Sequence, residues 1–106
     1  MDKKYRTFAA FYPYYLAEHA NPTCRVLHFI GTSLVISAFV TALLTRNPLW
    51  FAAMPLAGYG FAWVGHFFFE RNRPATFTYP LYSFAADFVM FGQLLVGKIP
   101  FRIAAR

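Results

Sequence analysis

VLHFIGTSLVISAFVTALLT, residues 26–45, runs for 20 positions without a formal charge between Arg25 and Arg46. At 1.5 Å rise per residue, a helix of that length reaches across a hydrocarbon core of about 30 Å. A second uncharged stretch follows directly, from Asn47 to Phe69, and ends at Glu70. Arg46-Asn47-Pro48 is too short to be anything but a tight connection, and Pro48 suits the first turn of the next helix. The two stretches are therefore expected to form an antiparallel helical hairpin. Pro55, Gly58, Gly60 and Gly65 lie in the second one, where small residues let a neighbouring backbone approach closely.

Working outward, Glu18-His19-Ala20-Asn21-Pro22-Thr23-Cys24-Arg25 reads as a polar turn in which Asn-Pro breaks a preceding helix. Tyr5, Phe8, Tyr12, Tyr15 and Leu16 recur at three- and four-residue spacing, which predicts an aromatic amphipathic helix lying in a membrane interface over residues 1–17, kinked or split by Pro13. Met-Asp-Lys-Lys followed by tyrosines does not resemble a cleaved signal. On the other side, Glu70 to Pro80 is a second polar turn. A third helix over residues 81–96 is apolar except for Ser83, Asp87 and Gln93. The expected fold is all-α: one membrane domain over residues 1–106, an integral helical bundle with an interfacial helix at 1–17 and about three membrane helices at 26–45, 48–69 and 81–96.

Composition excludes the main rivals. Of 106 residues, 58% are hydrophobic and 13% charged, against about a quarter charged in soluble domains. So small a globule has too few polar side chains to cover its surface in water. Fourteen Phe, seven Tyr and two Trp demand burial, which excludes disorder. A single cysteine, Cys24, allows neither an intrachain disulfide nor a multi-thiolate zinc site, and reads as a small buried filler. The net charge of +6 does not form a stripe on a polar face but punctuates apolar runs, so nucleic acid is not an expected partner. Lys3, Lys4, Arg6, Arg25, Arg71 and Arg73 on one side face Arg46, Lys98, Arg102 and Arg106 on the other, a small bias toward a cytoplasmic N-terminus.

The hairpin also carries chemistry. His28 lies 18 residues before Arg46 and His66 lies 20 after it, so the two share one end of the hairpin. His19 precedes the first span and belongs to that end. Glu70 is one turn beyond His66, and Asp87 lies about two turns into the third helix. Ionisable groups at membrane depth are costly and mark pairing or a functional pathway. Imidazole with carboxylate suits zinc or iron, and two histidines with one carboxylate is a non-haem Fe(II) arrangement. No His-Glu-x-x-His or Cys-x-x-Cys pattern is present, so spacing alone leaves the metal open. Other roles stay open as well. Glu70 can pair with Arg71 or Arg73, Asp87 can neutralise an arginine, and His28 with His66 can ligate a b-type haem for electron transfer. A small transporter would carry a carboxylate in its first span, which residues 26–45 lack; a non-catalytic scaffold is the remaining alternative.

Glu18-His19-Ala20-Asn21-Pro22-Thr23-Cys24-Arg25, Leu27-His28-Phe29-Ile30-Gly31-Thr32, Gly65-His66-Phe67-Phe68-Phe69-Glu70 with Asn72-Arg73-Pro74-Ala75-Thr76, then Tyr79-Pro80 and Asp87, resemble a family of small membrane proteins that includes the yeast 2-hydroxy fatty acid dioxygenase. The resemblance covers about residues 8 to 97. Glu70-Arg71-Asn72-Arg73-Pro74-Ala75-Thr76 departs from the Glu-Lys-Arg-x-Pro-Ala of fungal members, and the chain looks like a short bacterial-type member. The resemblance implies a multi-pass protein of a bacterial inner membrane, partnered by lipid and with a homo-oligomer left open. It implies Fe(II)-dependent, O2-consuming alpha-oxidation of a 2-hydroxy fatty acid to the acid one carbon shorter. On this reading His19, His28 and His66 are catalytic metal ligands with Glu70 assisting. Arg25, Arg71 and Arg73 are expected to hold the substrate head, and Asp87 and Asn72 to orient the ligands from behind.

Overall fold

Asn21-Pro22 both ends one helix and begins the next. The Asn21 side chain accepts hydrogen bonds from the backbone N–H groups of Thr23 and Cys24, and Pro22 occupies the first turn, where its missing N–H costs nothing. A computed structural model describes residues 4–101. Its elements are α1 (Phe8–Ala17), α2 (Pro22–Thr45), α3 (Trp50–Val64), a π-helical segment (Gly65–Glu70), a 3-10 turn (Ala75–Phe77) and α4 (Pro80–Leu95). The described residues are all-helical, with four α-helices and no strand. Lys3, Arg102 and Arg106, which entered the charge bias, lie outside them.

α2 therefore starts one turn earlier than its charge-free stretch and runs 24 residues, about 36 Å. Among the described residues it is the one helix long and apolar enough to cross a membrane. Residues 48–69 are not one α-helix: α3 has 15 residues and gives way at Gly65 to the wider π turn. α4 has 16 residues, also short of the roughly 20 needed for a spanning helix. Arg46 closes α2 in the left-handed conformation at φ 55°, and the Asn47 side chain accepts from the Leu49 N–H, so the expected tight hairpin forms. Its two helices approach closely at Gly31, where an added Cβ would lie 3.0 Å from Phe61 Cβ and 3.1 Å from the Ala57 carbonyl oxygen. A side chain there would have to push α3 back by a few tenths of an ångström.

α1 and α4 form the second layer, and α4 also packs on α2. α1 is docked on the bundle: Phe11 is 0% and Tyr15 1% exposed, in a core with Tyr79, Ala86, Met90 and Leu94. Phe11 lies outside the expected aromatic face, and Tyr5 precedes the helix, so the amphipathic pattern is corrected to a helix that is apolar nearly all round. Pro13 leaves α1 continuous. Polar tips anchor this layer, with the Tyr12 hydroxyl donating to Gln93 Oε1 at 2.6 Å and the Tyr82 hydroxyl to the Arg6 carbonyl at 2.8 Å. Outward, α2 and α3 leave Leu34, Phe39, Leu43, Leu44, Phe51 and Leu56 exposed.

Candidate metal centre

Gly65 decides how closely the π segment meets α2. A Cβ there would fall 2.9 Å from Cys24 Sγ, closer than Cβ atoms come, and a tight 3.3 Å from Cys24 Cα. That contact sets His66 beside His28, and the turn after α1 delivers His19 between them. His19 Nε2 lies 2.8 Å from His66 Nε2 and 3.1 Å from His28 Nε2. All three ligand atoms fall within 4.8 Å of one another, and all three side chains are buried.

The other ring nitrogens fix the tautomers. His19 Nδ1 lies 2.6 Å from the Tyr15 carbonyl oxygen, His28 Nδ1 3.0 Å from the Cys24 carbonyl oxygen, and His66 Nδ1 2.7 Å from Asn72 Oδ1. Those oxygens only accept, so each Nδ1 carries the proton and donates it. The Asn72 amide is oriented in turn, its Nδ2 donating to the Glu18 carbonyl at 3.1 Å and to Glu18 Oε1 at 3.3 Å. Three unprotonated Nε2 lone pairs are left facing one another. Lone pairs at this separation repel unless a cation lies among them. Nitrogens that share one ion at about 2.0–2.1 Å sit roughly 3 Å apart, close to the His19–His66 and His19–His28 separations, so the three histidines could hold a metal ion. Burial holds the His19 pKa well below its ordinary value, with the neighbouring His28 and His66 adding to the effect, which keeps it neutral as a ligand must be.

The remaining expected residues are placed differently. The Glu70 carboxylate accepts from the Asn21 N–H, outside the histidine cluster, and ties the π segment to the α2 cap. Arg25 is buried and occupied: its Nε donates to the His19 carbonyl and its Nη1 to the Pro100 carbonyl, each at 2.6 Å. Arg71 is exposed at φ 60° and Arg73 sits over the Phe77 ring, 5.1 Å from its centroid. A cavity of about 420 Å³ opens onto the three histidines, and none of the three arginines lines it. Asp87 does line it, but it accepts the Tyr15 hydroxyl rather than a histidine N–H. Tyr15 stacks on the His19 ring at 3.9 Å between centroids, so Asp87 reaches the cluster through that ring. Burial, then the Asp87 charge, raises the Tyr15 pKa well above its ordinary value. Asn72 accepts from the His66 ring through its side-chain oxygen.

Sequence reasoning passed over Tyr15 and Cys24 as backbone anchors, and Ser83 and Thr32 as cavity residues. Tyr15 and Cys24 each stand four residues before a histidine, the helical spacing at which a ring can reach a preceding carbonyl, so the signal was present. No curated protein and no solved structure matches the chain. The family described as 2-hydroxy-palmitic acid dioxygenase Mpo1-like matches over residues 5–99, which takes in all three histidines, Asn72 and Asp87. A match over nearly the whole chain, on a sequence that folds to bring those histidines together, makes this protein a member of the Mpo1-like family.

Proposed function

We propose that the chain is a membrane-embedded, Fe(II)-dependent dioxygenase that converts a 2-hydroxy fatty acid to the acid one carbon shorter. The observation that carries the reading is the trio of Nε2 atoms whose opposite ring nitrogens are all committed to carbonyl oxygens. The overall change balances as hydroxy acid plus O2 giving shortened acid, carbon dioxide and water. Iron held there would supply the redox chemistry toward O2 and a Lewis-acid anchor for the hydroxy acid. The protein's own residues have four tasks. His19, His28 and His66 present neutral nitrogens; Tyr15, Cys24 and Asn72 hold their tautomers; Glu70 fixes the loop that carries Asn21; and the cavity walls exclude bulk water. The exposed apolar surface of α2 and α3 supports lipid as the surroundings. For a bis-histidyl haem, the space between His28 and His66 would have to admit a macrocycle, and His19 fills it.

Purified protein supplied with Fe(II) and O2 is expected to turn 2-hydroxyhexadecanoate into pentadecanoate, with hexadecanoate and 3-hydroxyhexadecanoate far poorer substrates by mass spectrometry. A site built around a polar substrate group penalises its absence heavily. Equal turnover of all three acids, or of none by iron-loaded protein, would end this reading. Asn72→Ala should weaken metal binding by about 10- to 100-fold, the usual cost of losing a ligand-orienting partner. Metal titration against wild type checks it, and unchanged affinity would remove Asn72 from the site.

A further inference from the structure

Among the described residues, Ser83 Oγ is the one buried side-chain oxygen or nitrogen without a hydrogen-bond partner. Its residue is 4% exposed, and it lines the cavity that holds the three histidines. Buried polar groups in folded proteins are nearly always paired, so an orphan in a ligand-sized cavity points to a partner the ligand brings. Ser83 and Asp87 are four residues apart on α4, hence on one helix face, and both line the cavity. Asp87 Oδ1 already takes the Tyr15 hydroxyl, and its second oxygen has lone pairs to offer.

The pair is selective in what it can hold. An ionised carboxylate placed beside Asp87 is repelled, whereas a hydroxyl can donate to Asp87 and accept from Ser83 at once. With Arg25 committed to two backbone carbonyls and Arg71 and Arg73 off the cavity, no cationic side chain competes for that role. The other walls are mostly apolar, broken by Thr32, Tyr59 and Thr76: Met54 and Trp63 come from α3, Phe84 and Phe88 from α4. α3 and α4 each pack on α2 and leave the gap between them to the cavity. A polar end beside the histidines and an apolar slot beyond it match a single-chain hydroxylated amphiphile. We infer that Ser83, together with Asp87, is the specificity determinant that reads the 2-hydroxyl of the acyl substrate; the inference rests on the dioxygenase reading above.

The test uses Fe(II)-loaded protein without O2, titrated with 2-hydroxyhexadecanoate and with hexadecanoate. Trp63 in the cavity wall reports binding by its fluorescence. Ser83→Ala is expected to weaken binding of the hydroxy acid about tenfold, the scale of one lost hydrogen bond in a buried site, and to leave hexadecanoate unchanged. Metal content should stay at the wild-type level. The thermal midpoint should hold or rise, because the variant deletes an unpaired buried hydroxyl, a result that a structural role for Ser83 would not give. Ser83→Thr, which keeps the hydroxyl, should restore the preference. Equal loss for both acids, no loss for either, a lowered thermal midpoint, or a wild-type protein that binds neither acid overturns the assignment. A wild-type preference that Ser83→Ala erases, in a protein that turns over neither acid once O2 is admitted, retires the dioxygenase reading and leaves the hydroxyl site standing. Turnover with an undiminished preference in Ser83→Ala does the reverse.

Discussion

Replacing His66 with alanine is expected to lower bound iron at least tenfold while leaving the helical content nearly unchanged. On the proposed reading the imidazole supplies one of three donor atoms, and a site reduced to two nitrogens keeps neither the charge donation nor the geometry that holds the ion. It is buried, but it sits on the π segment with its Nδ1 committed to Asn72 and lies outside the aromatic core around Phe11, so the helices are expected to survive its loss. His28→Ala should behave alike. His19→Ala should lose the same metal and some stability besides, because its buried ring stacks on Tyr15. The measurement is metal content by mass spectrometry beside circular dichroism. Wild-type metal in all three variants would sink the ligand set.

Phe11→Ala carries the largest expected loss of stability, about 3–5 kcal/mol, the usual cost of emptying a core phenylalanine site. Phe11 is fully buried, with ring centroids of Tyr79 at 5.0 Å, Tyr82 at 5.5 Å and Tyr15 at 5.9 Å. Those neighbours come from both α1 and α4, so the cavity left behind opens the joint between them. Because α1 leads directly into His19, the loosened helix should also weaken metal binding. Thermal melts in detergent, with and without Fe(II), read both effects. A change within about 0.5 kcal/mol, the range of a surface position, would mean that α1 lies free of the bundle.

That contrast marks where the sequence could be read and where it could not. Residues 26–45 announced a helix because a charge-free run of that length has few other uses, and the Arg46 turn then put His28 and His66 at one depth by counting alone. Phe11 escaped because α1 carries aromatic residues on every side, and periodicity detects a face only when another face is polar. The start of α2 at Pro22 escaped because Asn-Pro is both a stop and a cap, and only the Asn21 hydrogen bonds distinguish the two. Arginines near a histidine cluster read as anion binders. The partner that occupies Arg25, the carbonyl of Pro100, is 75 positions away and leaves no trace in local pattern. Asn72 stood out only through the family resemblance of its motif, and the use of a tyrosine carbonyl to fix His19 required coordinates.

The π segment has a consequence for how such chains can vary. A π turn holds one more residue than an α turn, and here the surplus brings the Asn72 N–H within 3.0 Å of the His66 carbonyl while the Asn72 side chain meets the same residue's ring. Phe67, Phe68 and Phe69 between them are exposed, so their identities are loosely constrained but their number is not. The stretch works as a spacer whose content is free and whose count is fixed. Deleting any one of the three would let the helix relax to ordinary α geometry and carry Asn72 past His66, leaving the hydrophobic character of the chain almost intact. A homologue one residue shorter between its Gly-His and its Asn would still look like a sibling by composition, yet would have lost the clasp on its third imidazole.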